Sequence, residues 1–187
     1  MKKSFALILL TLGLSFTLFA QNSFTPMDKS PLDMIYYPTN YPILKIQNKV
    51  TEPLAARILY SRPQKNGRKV FGELVELGKI WRLGANEATE IELFKDAKIG
   101  TTKVKKGKYT LYAIPNNDKW TIIINKEMDV WGAFIYNQSK DVVRIDIKTE
   151  KTSELIEAFS MNFEKVATGI NLVIGWDDVI AKLPISF

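Results

Sequence analysis

From Ala56 onward the chain alternates apolar and polar residues with a period of two, and no other feature restricts its fold as tightly. Ala56, Ile58 and Tyr60 alternate with Arg57, Leu59 and Ser61, and Thr89, Ile91 and Leu93 alternate with Glu90, Glu92 and Phe94. Successive side chains of a strand point to opposite faces, so these segments are expected as half-buried strands. Turn residues punctuate the pattern at Asn66-Gly67, Lys106-Gly107, Pro115-Asn116-Asn117-Asp118 and Asn137-Gln138-Ser139. These residues tolerate positive φ or bond to their own backbone. Further strands are expected over residues 108–114, 120–125, 141–148 and 171–176, with residues 183–185 as an edge. The expectation is an all-β fold, an antiparallel β-sandwich of about eight to ten strands with at most one short helix, a jelly roll being one form of it.

One stretch carries two periods at once. In residues 152–164, Leu155, Ile156, Phe159 and Phe163 recur at helical spacing behind a Ser153 cap, whereas Phe159, Met161 and Phe163 alternate as in a strand. The reading adopted is a short helical turn over residues 153–158 running into a strand.

The first 20 residues read as a cleavable secretory signal: Lys2 and Lys3, an apolar run over residues 5–19, and Ala20 before a polar Gln21-Asn22-Ser23. The run is shorter than the ~20 apolar residues of a spanning helix, and no basic stop-transfer cluster follows. No Cys lies near the cut, so a lipid-modified cysteine is not expected. The expected location is periplasmic or secreted, with no membrane span after cleavage. Removing this segment takes the formal charge from +6 to +4, since it holds two lysines and no acid. That excess is scattered over turns, and nucleic acid is not expected as a partner. Residues 21–50 form a Pro- and Tyr-rich arm whose prolines exclude a central strand, and residues 51–187 are expected as a single β-sandwich domain.

The chain contains neither Cys nor His. That removes disulfides, Ser-His-Asp and Cys-His mechanisms, the common zinc sites and imidazole acid–base work. No EF-hand spacing surrounds Asp129, Asp177 or Asp178, so no metal and no cofactor is expected.

The polar residues that remain concentrate in two loops: Ser61-Arg62-Pro63 with residues 65–69, and residues 81–89 (WRLGANEAT). Loops at the end of a rigid sheet are where binding groups are usually mounted. Candidate ligand-binding residues are Arg62, Arg68, Trp81, Arg82, Asn86, Glu87 and Trp131. The arginines would neutralise an anionic group, Asn and Glu would orient hydroxyls, and the rings would stack on a sugar-like face. The competing reading pairs Arg82 with Glu87 inside a folded loop. Trp120 and Trp176 sit in strong strand patterns and are expected in the core; Trp81 and Trp131, beside Gly84 and Gly132, are the candidates for exposed rings. Glu90 and Glu92 are expected on a solvated strand face.

The strings YSRPQKNGRKVFGELVELGKIWRLGANEATEIELFKD, KKGKYTLYAIPNNDKWTIIINK and DVWGAFIYNQSKDVVRI closely resemble an exported bacterial family, number two-nine-one-one among the domains of unknown function. The resemblance runs from about Leu54 to Phe187, with the WRxGANEAT segment as its most distinctive part. It departs from the family's pattern at Leu83, where Thr is commoner, and in the Tyr-rich arm. It implies an exported location, typical of Gram-negative bacteria, Bacteroidota among them, and carries no catalytic residue over. The functional expectation is a non-catalytic extracytoplasmic binding or envelope-accessory domain with a small anionic or saccharide ligand, no oligomeric state being implied. The alternative is a carboxylate-based hydrolase of envelope glycans with Glu87 as its acid.

Overall fold

The computed structural model describes residues 24–187, so the expected signal segment, residues 1–20, lies outside the described residues. Nine strands follow one another: β1 (Leu32–Tyr37), β2 (Ala56–Ser61), β3 (Glu90–Leu93), β4 (Ala97–Ile99), β5 (Thr102–Val104), β6 (Gly107–Pro115), β7 (Lys119–Asn125), β8 (Asp141–Val166) and β9 (Gly169–Ile185). Seven of them form one antiparallel sheet in the order β1-β2-β3-β6-β7-β8-β9, and β4 pairs with β5 as a small second sheet. The order follows the chain, which is a meander rather than the crossed-over order of a jelly roll. The all-β, antiparallel class is as expected.

The sheet covers its own core by curling. Beyond Ser61 the continuation of β2 meets the middle of β8: Lys65 N donates to Glu157 O (2.8 Å), and Phe159 N donates to Pro63 O (2.9 Å). Strand β8 makes this possible through its length, 26 residues. Its first part pairs with β7 and its second with β9, with register shifts between Lys151 and Ile156 and again between Ile156 and Ser160. Such bulges bend a strand and let it leave one face for another.

The period-two reading holds where it was clearest. Ala56, Ile58, Tyr60, Thr89, Ile91 and Leu93 are all buried, as are Trp120 and Trp176. Trp81, Trp120, Phe159 and Trp176 meet one another at ring separations of 5.2–6.0 Å and fill the centre of the curl. One residue at the β8–β9 turn is fixed by close approach. A Cβ on Gly169 would stand 2.2 Å from Ile185 O, so only glycine fits there.

The expected helical turn over residues 153–158 is instead part of β8. Leu155, which the helical period would have buried, is exposed, whereas Phe159, Met161 and Phe163 are buried. Pairing with β9 supplies this backbone with partners, and the two-residue period wins. The short helix α1 (Tyr41–Ile46) lies in the arm, with Pro42 in its first turn, where the missing N–H costs nothing. Ahead of it, β1 adds to the sheet at its edge, the position open to a Pro-flanked segment. Among the described residues no helix is long and apolar enough to cross a membrane.

Candidate functional site

The loop of residues 81–89 is largely buried, with only Glu87 exposed, and is fixed at both ends by backbone pairing. Trp81 N donates to Ala113 O (2.7 Å), Trp81 O accepts from Ala113 N (2.9 Å), and Thr89 N closes the loop onto Arg82 O (3.1 Å). Between them Leu83 and Asn86 take positive φ, and the backbone around Gly84 packs against Ser61, whose hydroxyl accepts from Ala85 N (2.7 Å). The far side of the loop pairs with residues 130–132: Ala88 N donates to Val130 O (3.0 Å), and Gly132 N donates to Asn86 O (2.8 Å). Glu87 and Trp131 thereby face each other as a β-bridge.

This pairing creates a groove of about 400 Å³ lined by Asn86, Glu87 and Trp131 on one side and by the segment from Met27 to Leu32 on the other. The Trp131 ring is 57% exposed, and Glu87 is exposed beside it. An adjoining cleft of about 250 Å³ shares Leu32 and Glu87 and continues over Tyr60, Ala88, Glu90, Asp129 and Val130. Here burial, reinforced by the Asp129 charge, pushes the Glu90 carboxyl up from its ordinary value, against smaller opposing effects of Lys108, the Asp129 backbone amide and Arg57.

Three of the sequence-based candidates thus come together: Asn86, Glu87 and Trp131. Trp81 does not join them. Its ring is buried in the central aromatic cluster and its indole N–H donates to Gly84 O (3.2 Å), because the residue is paired as a strand with Ala113 rather than looped outward. Arg62 is a structural tie. It bonds Asp33 (2.9 Å), Ser160 Oγ (2.9 Å) and Phe159 O (3.2 Å), joining β1 and β8 to the end of β2. Arg68 donates to the carbonyls of Lys65 and Gln64 and closes its own turn. Arg82 is half-buried, forms no ion pair among the described residues, and has a buried Nε without a partner. Burial lowers its pKa. The Arg82–Glu87 pair that a sequence reading allows is therefore absent.

Two features were not singled out from the sequence. Glu90 was expected on a solvated face, but lies partly buried opposite Asp129, while Glu92 is paired with Arg57. The stretch Trp131-Gly132-Ala133-Phe134-Ile135-Tyr136 ends in a tip where Phe134 and Ile135 are exposed. The apolar run itself, following Asp129, was the signal available in the sequence. The far end of the tip is held firmly: Tyr136 Oη donates to Asp141 Oδ2 (2.6 Å), and Arg144 Nη1 donates to the same carboxylate (2.9 Å). Burial and the bond to Asp141 push the Tyr136 phenol up to about 12. Among the described residues no group of three or more acidic side chains is placed to hold a metal ion.

The family model described as "Protein of unknown function (DUF2911)" matches residues 42–185. The chain belongs to this family. Within the DUF2911 segment lie Asn86, Glu87, Trp131, Glu90, Asp129 and Arg82, whereas the groove wall from Met27 to Leu32 lies before it. No curated protein and no solved structure matches the chain.

Proposed function

We propose that this DUF2911 protein is an exported, non-catalytic binding domain of the cell envelope whose groove takes a saccharide-like ligand. The observation that carries the reading is the exposed Trp131 ring beside Asn86 and Glu87 along a groove of about 400 Å³. A sugar offers an apolar face to an indole ring and hydroxyls to amide and carboxylate groups, and these groups stand together here. An anionic ligand fits the groove less well. Arg62 and Arg68 are spent on intramolecular bonds, and the charged side chains lining the groove are the carboxylates Asp28 and Glu87. The amino-terminal pattern of basic, apolar and small residues supports export. Calorimetric titration with a panel of cello-, chito- and malto-oligosaccharides tests the reading. At least one series should bind, and Trp131→Ala should weaken it about tenfold or more. Absence of binding across the panel, or binding indifferent to Trp131, would refute it.

A second reading is favoured by one observation. Glu90, raised by burial and by Asp129, shares a cleft with Asp129 and Glu87, which is the combination of a raised acid and a nearby carboxylate used in glycoside hydrolysis. On this reading Glu90 replaces Glu87 as the acid. Turnover of aryl glycosides that disappears in Glu90→Gln would establish it.

A further inference from the structure

The chain has five arginines, and four of them are satisfied. Arg57 pairs with Glu92, Arg62 with Asp33, Arg144 with Asp141, and Arg68 caps two carbonyls. Among the described residues the Arg82 side chain has no hydrogen-bond or ion-pair partner, although its Nε is fully buried. Leaving a buried guanidinium N–H without an acceptor costs stability, so the position of Arg82 needs a reason outside the intramolecular contacts. That position is the base of the apolar tip. A Cβ on Gly132 would stand 3.6 Å from Arg82 Nη1 and 2.8 Å from the Phe134 ring, so guanidinium and ring both approach the same glycine.

Phe134 and Ile135 are 81% and 63% exposed, and Trp131 flanks them. The tip is built rather than loose. Ala133 and Tyr136 on either side of it pack onto the small core of Ala88, Tyr112, Ile123 and Val130, and the Tyr136–Asp141–Arg144 network pins its far end.

We propose that this tip docks on a phospholipid surface, with Phe134 and Ile135 entering the interfacial region and Arg82 taking a lipid phosphate. Two observations select lipid over a protein. The three exposed side chains offer on the order of 400 Å², about half of the ~800 Å² per partner that a stable protein interface buries. Aromatic and aliphatic groups above a guanidinium also match the order of a bilayer interface, apolar region beyond phosphate. The groove lined by Trp131 would then open next to the headgroups, but the docking stands independently of what the groove binds.

The absence of Cys allows a single environment-sensitive fluorophore to be placed at Ile135→Cys, with Leu155→Cys, exposed on β8, as the control in the same full chain. On adding vesicles of phosphatidylethanolamine and phosphatidylglycerol, the label at position 135 should shift to the blue and the label at 155 should not. Arg82→Gln should raise the lipid concentration needed for the shift roughly fivefold, and Arg82→Lys should restore most of it. Inorganic phosphate without vesicles should leave the label unchanged. Equal responses at the two positions, indifference to Arg82→Gln, a shift caused by phosphate alone, or a shift that follows protein concentration without lipid would each overturn the proposal, the last in favour of self-association.

Discussion

Replacing Arg82 with methionine should make the protein more stable, an unusual outcome for removal of a half-buried side chain. Methionine keeps an unbranched apolar side chain at this position and removes the buried Nε that has no acceptor. An unsatisfied buried donor costs about 1–3 kcal/mol. The other guanidinium nitrogens are not among the buried unpartnered atoms, so water relieves part of that cost and the low end applies. The expected gain is about 1 kcal/mol, a rise in Tm of about 2–4 °C for a domain of this size. Thermal melts and urea titrations read it directly, and the urea slope should be unchanged if the native and unfolded states keep their compactness. A fall in Tm of roughly 10 °C would refute the reasoning, because that is the cost of leaving a buried partner charge behind. It would mean that Arg82 holds the loop together. A stable Arg82→Met protein that no longer responds to vesicles would show stability given up for a surface function.

Trp81→Ala should cost about 3–5 kcal/mol, since it empties the middle of the aromatic cluster, whereas Trp131→Ala should change urea stability by less than about 1 kcal/mol. Breaking the Lys65–Asp177 pair (2.9 Å, side chains 17% and 12% exposed) by Lys65→Met should cost about 3–5 kcal/mol, and adding Asp177→Asn, which removes the charge but tolerates the positive φ and still accepts from Val70 N, should recover much of it in a double-mutant cycle. Glu90 has a raised carboxyl pKa in the folded state. The folded protein therefore binds the proton more tightly than the unfolded chain, and Glu90 contributes stability at low pH that is lost as pH rises through its folded pKa. Glu90→Gln should accordingly raise Tm at neutral pH, and the gain should disappear as pH falls to the ordinary carboxylate range. A gain that persists or grows in acid would contradict the assignment.

The parts of the fold legible in the sequence were those in which a two-residue period met a turn signal. Residues 56–61 and 89–94 read directly because one face of each is buried and the other, Ser61 apart, is not. Residues 153–158 did not, because a bulged strand presents Leu155 and Ile156 without regular alternation and so imitates a helix. Trp81 was misplaced for a related reason. A single bridge to Ala113 turns its ring inward, and one bridged residue leaves no period to detect. The groove was half legible. Asn86 and Glu87 are adjacent and stood out, but their meeting with Trp131 depends on a register between distant segments that composition does not encode. The same holds for Glu90 and Asp129. Arg82 shows the limit from the other side: its neighbours in the sequence include a carboxylate, and only the folded backbone directs the two side chains apart.

Trp131 is the residue expected to meet a ligand, and the indole N–H resonances report on it most directly. Trp81 and Trp176 donate their indole protons to Gly84 O and Glu157 O, and Trp120 is buried, so these three signals belong to the core. Trp131 supplies the fourth, assigned by its loss in Trp131→Phe. Titrating an oligosaccharide from the panel into labelled protein should move the Trp131 signal and leave the other three in place. If that signal stays fixed throughout the panel, or the core signals move instead, the groove is not the binding site.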